Sequence, residues 1–252
     1  MSIRRGPKIV TEGLVFYADA ANPRSYVSGS TTSNNLINLA ETGILNNGIT
    51  FSPNNLGSWV FDGVDDNINF GDLTTTNPEL NSFTCNVFFK IDTNSSTTNI
   101  IVTKGNRSSN LIGWAIFYAD STGVIEIRCN GNNGLSQRAG QYISINENQI
   151  YMVSLVINRT DNTIKGYLNG SNNNWNDGNF NGTYTTNSIT GFGSIISPID
   201  FIIGDREPGF PLPMYGNIYS VSCYNRALTQ EEIQQNYNAL KGRFGLWILD
   251  LK

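Results

Sequence analysis

Three aspartates within five residues, Asp62, Asp65 and Asp66 in the run SWVFDGVDDNINF, are the densest acidic group in the chain, and Asp205 and Asp72 are further aspartates expected at strand ends. Calcium is bound by six to eight oxygens from carboxylates, amides and carbonyls, so the metal candidates are Asp62, Asp65, Asp66 and Asp205. An Asp-Asp pair also makes a turn without any ion, because aspartate tolerates left-handed geometry and bonds its own backbone. The turn reading comes first and the calcium reading second. Candidates for carbohydrate contact are the aromatic residues of polar loops, since lectin sites pair an aromatic platform with amides and carboxylates. Trp175 lies in SNNNWNDGNFNG, with no apolar neighbour to offer it a core. Phe210 and Tyr215 lie in a segment stiffened by Pro208, Pro211 and Pro213.

Catalytic candidates are absent at this level. The chain has no histidine, which excludes a serine–histidine triad. Glycoside hydrolysis needs two carboxyl groups about 5–10 Å apart. Glu126 shares its strand parity only with Arg128, and Glu207 sits in the proline-rich loop. The expectation is therefore a chain that is not an enzyme, with no catalytic residues. Cys85, Cys129 and Cys223 are far apart in sequence and form no C-x-x-C, so structural zinc and thiol redox motifs are excluded too. No cofactor is required, and Ca²⁺ is the one the residues could accommodate.

The elements that must position these residues are mostly strands. Charged residues make up 14 % of the 252, against a typical ~25 %, and asparagine, serine, threonine and glycine supply the remaining polarity. Residues 83–91 (FTCNVFFKI) put Phe83, Cys85, Val87 and Phe89 on one parity, as a half-buried strand does. Trp59 and Phe61, then Ile68 and Phe70, alternate around the aspartates and predict two strands joined by a tight turn. Segments 14–17, 100–103, 113–118, 124–129, 150–158, 163–169 and 201–204 complete the regular pattern, while 19–55 is turn-rich and holds at most short strands. Residues 218–224 run into the chain's one convincing helix. Thr229 and Glu232 stand at capping-box spacing, Leu228 and Ile233 at the positions of a hydrophobic staple, and Ile233, Tyr237 and Leu240 form a stripe that Gly242 is expected to end.

These stretches resemble a known family. GNIYSVSCYNRALTQEEIQQNY is similar to the closing strand and helix of laminin-G-like, concanavalin-A-like sandwich domains. SWVFDGVDDNINF, IYMVSLVINRTDNTIKGYLNG and FIIGD resemble three further stretches of that family, in the family's order. The resemblance covers about residues 6–242 and implies an all-β fold, a jelly-roll β-sandwich of antiparallel sheets with one short C-terminal helix. It also implies Ca²⁺ at a loop rim in many members. The glycosidases of this fold carry E-x-D-x-x-E on one strand, a run missing here. The opening, GPKIVTEGLVFYADAANPRSY, further resembles proteins encoded by tailed bacteriophages.

The expected organisation is an N-terminal arm (1–12), the sandwich (13–242) and a C-terminal tail (243–252). The arm carries Arg4, Arg5 and Lys8 and reads as solvated. The tail carries Trp247, Ile248 and Leu249, an apolar group beyond the domain that would serve assembly. A net charge of −4 argues against nucleic acid. No run approaches the ~20 apolar residues of a membrane span, and no secretory signal is recognisable. The resemblance implies a virion structural protein (decoration, fibre or tail component), made in the host cytoplasm and located in the particle. Its partners would be capsid or tail proteins, further copies of itself, and surface glycans. The alternative is a stand-alone cellular carbohydrate-binding module.

Overall fold

The computed structural model describes residues 7–93, 98–105, 112–119, 123–132, 137–182, 185–206 and 211–246. Two antiparallel sheets face one another. The seven-stranded sheet runs β13 (Thr163–Leu168), β12 (Ile150–Asn158), β7 (Phe83–Ile91), β16 (Tyr215–Tyr224), β5 (Ser58–Asp62) and β4 (Thr50–Ser52), and β1 (Leu14–Asp19) also pairs with β16. The nine-stranded sheet runs β14 (Asn176–Asp177), β11 (Arg138–Ser144), β10 (Val124–Asn130), β9 (Gly113–Ala119), β8 (Asn99–Gly105), β15 (Phe201–Ile203), β6 (Asn67–Asn69), β3 (Thr42–Asn46) and β2 (Thr32–Asn34). The strands expected from the alternation form, and they build the all-β sandwich that the family resemblance implied.

Between the sheets lie the inward-parity residues of β7 (Phe83, Cys85, Val87 and Phe89), together with Trp59, Phe61, Ile116, Ile127 and Phe201. Burying such apolar surface is worth roughly 25 cal/mol per Å² and is the main force holding the layers together. β7 is buried on both faces rather than one, because a second layer covers its outer side. That layer is α1 (Gln230–Leu240), whose Ile233 packs with Phe88, Met152, Tyr167, Tyr219, Tyr224 and Leu228.

The capping box is present in full. Glu232 N donates to Thr229 Oγ1 at 3.3 Å, and Thr229 N donates to Glu232 Oε2 at 2.9 Å. The helix does not end at Gly242. A 3-10 turn (Lys241–Phe244) follows, and the left-handed position is Gly245, at φ 66°. The extra turn brings Phe244 onto Phe88 and Tyr219, with ring centroids 5.0 and 4.9 Å away. Arg243 donates to Asp19 Oδ1 at 2.8 Å and to Asn55 O at 2.6 Å. Packing onto the sandwich thus continues past 242 to Leu246, whereas Trp247, Ile248 and Leu249 lie outside the described residues.

The arm differs from expectation too. Val10 is buried: its N–H donates to Asn236 Oδ1 at 2.7 Å and its carbonyl accepts from Tyr224 Oη at 2.9 Å. Gln235 Nε2 holds Lys8 O at 2.8 Å. Two helix amides and the Tyr224 hydroxyl of β16 satisfy the backbone at Lys8 and Val10, so this part of the arm is docked rather than solvated.

Candidate functional site

β5 and β6 are not a hairpin. β5 belongs to the seven-stranded sheet and β6 to the nine-stranded one, so residues 62–66 carry the chain across the end of the sandwich. That corner folds the three aspartates onto one another. Asp62 Oδ1 accepts from Val64 N at 2.8 Å, and Asp66 Oδ2 accepts from Asp62 N at 3.0 Å. One carboxylate oxygen from each of Asp62, Asp65 and Asp66 lies within 4.8 Å of the others. Gly63 permits the turn at φ +79°, and the Tyr215 side chain packs beside it.

Asp62 and Asp65 are exposed, but Asp66 is only 2 % exposed. Its Oδ1 is buried and has no hydrogen-bond partner among the described residues. Burial pushes its carboxyl up to about 6; the backbone N–H of Asp62 opposes this, and the charges of Asp62 and Asp65 add to it. A buried carboxylate oxygen with nothing to satisfy it is costly. A hard divalent cation shared with Asp62 and Asp65 would supply the missing partner, so this donor set fits calcium chemistry.

Asp205 reaches the same end of the molecule by another route. Ile203 of β15 stands opposite Ile68 of β6, and the chain beyond Ile203 returns beside the corner. Asp205 Oδ1 accepts from Arg206 N at 2.8 Å and Leu212 N at 2.6 Å, so one carboxylate oxygen links these two backbone positions. Burial raises its carboxyl above the ordinary range, with a further contribution from Asp65. Its geometry is that of a loop staple next to the aspartate group, and it is not one of the three clustered oxygens.

Tyr215 opens β16 directly opposite Asp62 and is 37 % exposed. Its backbone N–H is fixed by Asn99 Oδ1 at 2.8 Å. An exposed aromatic ring therefore stands at the rim of the carboxylate corner. Phe210 and Glu207 lie outside the described residues. Trp175 departs from expectation, being no free-standing platform. Its ring lies against Gly166 of β13, where an added Cβ would come within 2.5 Å of ring atoms, and it packs on the inter-sheet core. The slot exists because Gly166 has no side chain, a partner nine positions away that the polar sequence around Trp175 does not announce. Asn47 was also missed by sequence reasoning: its Nδ2 donates to Asp65 O at 2.8 Å and braces the corner. One asparagine among many in a turn-rich stretch carried no signal for this.

Residues 62–234 match the family described as the concanavalin A-like lectin/glucanases superfamily. The chain belongs to that family. No curated protein matches it. Among solved structures, it is similar to a Trypanosoma rangeli sialidase in complex with sialic acid, with a TM-score of 0.63 and 17 % identity over 93 % of this chain and 34 % of that one. The binding domain of Paraclostridial Mosquitocidal Protein 1 is similar with a TM-score of 0.66 and 15 % identity, over 90 % of this chain and 52 % of that one. The botulinum neurotoxin serotype G binding domain is similar with a TM-score of 0.60 and 12 % identity, over 89 % and 50 %. The chain thus spans about a third of the sialidase's length and about half of each binding domain's. At these identities the likeness shows the fold, a concanavalin-A-like sandwich.

These neighbours correct the expectation of a chain without catalysis. Similar solved structures include several of Trypanosoma rangeli sialidase, which is an enzyme. A missing E-x-D-x-x-E run and a missing histidine exclude particular mechanisms and leave others open.

Proposed function

We propose that the chain is a lectin-like module that binds hydroxyl-rich glycans at the carboxylate corner. Asp62, Asp65 and Asp66 would hold Ca²⁺ there, Asp205 would hold Arg206 and Leu212 together beside them, and Tyr215 would offer a face for a sugar ring. The observation that carries this reading is the unpartnered buried Oδ1 of Asp66 beside two exposed carboxylates. Membership of a lectin/glucanase superfamily, and neighbours that are binding domains, support it. For biological context we propose a bacteriophage particle displaying this sandwich, assembled with capsid or tail proteins and further copies of itself. The resemblance of residues 6–26 to tailed-phage proteins supports that placement.

A ligand that binds only the native state raises its melting temperature. The wild-type chain is expected to melt higher in millimolar Ca²⁺ than in EDTA, and Asp66→Asn is expected to lose the difference. On a glycan array, binding should require Ca²⁺ and fall with Tyr215→Ala. Equal melting in both buffers removes the metal, and array binding unaffected by EDTA and by Tyr215→Ala removes the corner. Mass spectrometry of purified particles tests the context.

A further inference from the structure

The opposite end of the sandwich has an opening of its own. β7 and β16 run antiparallel with Gly216 opposite Ile91 at the corner end and Tyr224 opposite Thr84 at the far end. Residues just before β7 and just after β16 therefore meet roughly 25 Å from the corner, at about 3.3 Å per strand residue. There they enclose a pocket of about 300 Å³, the lower end of the size range for small-molecule sites and enough for one sugar ring.

Every polar group lining this pocket is neutral. Three are asparagines (Asn77, Asn81 and Asn225) and two are hydroxyls (Thr75 and Ser82), while Pro78 and Phe83, which also border it, are themselves buried. Asn77 is engaged: its Oδ1 accepts from Ser197 N at 2.9 Å and its Nδ2 donates to Ser197 O at 3.3 Å. Ser82 Oγ accepts from Arg159 N at 3.0 Å, which leaves its proton to donate. The side chains of Asn81, Asn225 and Thr75 have no hydrogen-bond partner among the described residues.

Their backbones, in contrast, are held. Asn81 N donates to Pro78 O at 2.8 Å and Asn225 N to Gly13 O at 2.9 Å. Thr75 sits in a short 3-10 turn whose Thr76 carbonyl accepts from Trp114 Nε1 at 2.9 Å. Two amide and two hydroxyl residues thus border one concave space from fixed backbone positions. An anion would find no cationic partner in the lining. A sugar ring would find donors and acceptors for its hydroxyls.

We propose that this pocket is a second carbohydrate subsite, independent of any cation, which takes one neutral sugar residue at the pole opposite the carboxylate corner. It does not depend on the corner's being a glycan site. The test is an NMR titration of the full chain in EDTA with methyl α-glucoside, methyl β-galactoside and N-acetylglucosamine. N-acetylneuraminic acid is the anionic control. The expected result is a shift of the Asn81 and Asn225 side-chain amide signals by at least one neutral sugar and none by the acid. Asn81→Ala and Asn225→Ala remove exposed side chains without partners, so both variants fold. Each should weaken the binding about tenfold, as losing a pair of polar contacts does. Asp66→Asn and Tyr215→Ala should leave it unchanged. The proposal fails if none of the three neutral sugars shifts these signals at ~100 mM, well above a millimolar Kd. It also fails if the acid binds as well, if both alanine variants bind normally, or if Asp66→Asn abolishes binding.

Discussion

Asp66 has an ordinary carboxyl value of 3.8 that burial in the folded corner pushes up to about 6. Between those pH values the folded chain keeps a proton that the unfolded chain has released. Stability contributed by this group is therefore present below about pH 4 and is lost as pH rises through about 6. Asp66→Asn keeps the shape without the charge, so in EDTA it should flatten that slope and melt at or above wild type at pH 7. The same protonation competes with a cation, so calcium stabilisation of the wild type should fade below about pH 6. Thermal melts from pH 4 to 8, with Ca²⁺ and with EDTA, read both effects. An Asp66→Asn chain with the wild-type slope would show that another group titrates. Burial matters likewise for the cysteines: it pushes the Cys129 thiol up to about 12 and raises Cys223 well above its ordinary value, with Cys85 adding to the latter. All three thiols are buried, and none should react with a disulfide reagent until denaturant is added. A thiol titrating in the native chain would contradict this.

At the scale of elements, β16 and α1 show how local rules combine with sheet position. A bulge between Ile218 and Ser220 shifts the register of β16 against β7. Strict alternation would have put Tyr219 on the same side as Val221 and Cys223. Instead Tyr219 faces the helix layer, whereas Val221 and Cys223 face the other sheet. Tyr219 is thereby available to Phe244, and the helix acquires a floor. The cap of α1 follows from residues adjacent in sequence and should behave accordingly. Thr229→Ala removes the N-cap acceptor and is expected to cost about 1 kcal/mol, read as a lower denaturant midpoint. An unchanged midpoint would mean that water replaces the cap at no cost. Arg226 reinforces this region, donating to both Glu232 oxygens at 2.7 and 2.8 Å.

For the molecule as a whole, Lys8 and Val10 on one side and Asn236, Arg243 and Phe244 on the other close one outer layer. Val10 and Asn236 join the arm to the helix, while Arg243 and Phe244 join the last turn to β1, the loop at Asn55 and the seven-stranded sheet. Two truncations separate folding from assembly. A chain ending after Gly242 loses Phe244 from its cluster and leaves Asp19 without Arg243. It is expected to lose at least roughly 3 kcal/mol, the usual cost of removing a buried phenylalanine. A chain ending after Leu246 keeps those contacts and should melt like the full chain. If Trp247, Ile248 and Leu249 serve assembly, that second chain will fold yet fail to self-associate or enter particles. Normal incorporation of the chain ending after Leu246 would remove them from that role.

What the sequence determined by itself lies within a few residues of its own signal. The alternation in 83–91 and 150–158 specifies strands because side chains point to opposite faces at every step, and both segments are strands here. Thr229 and Glu232 specify a helix start because their groups meet across one turn. The aspartates were visible as a group for the same reason. Tertiary structure decided where such pieces meet. Whether residues 62–66 make a hairpin or a crossing depends on which sheet receives Ile68, and that is set by β15 and β3, far away in sequence. Only the crossing buries Asp66, whereas the pairing of β16 with β5 places Tyr215 opposite Asp62. Trp175 is half-buried because Gly166 leaves room for its ring. The far pocket joins the approach to β7 with the exit of β16, residues some 140 positions apart. Turn, strand and cap energies are local, whereas the burial that shifts a carboxyl or shapes a pocket comes from segments brought together only when the two sheets close.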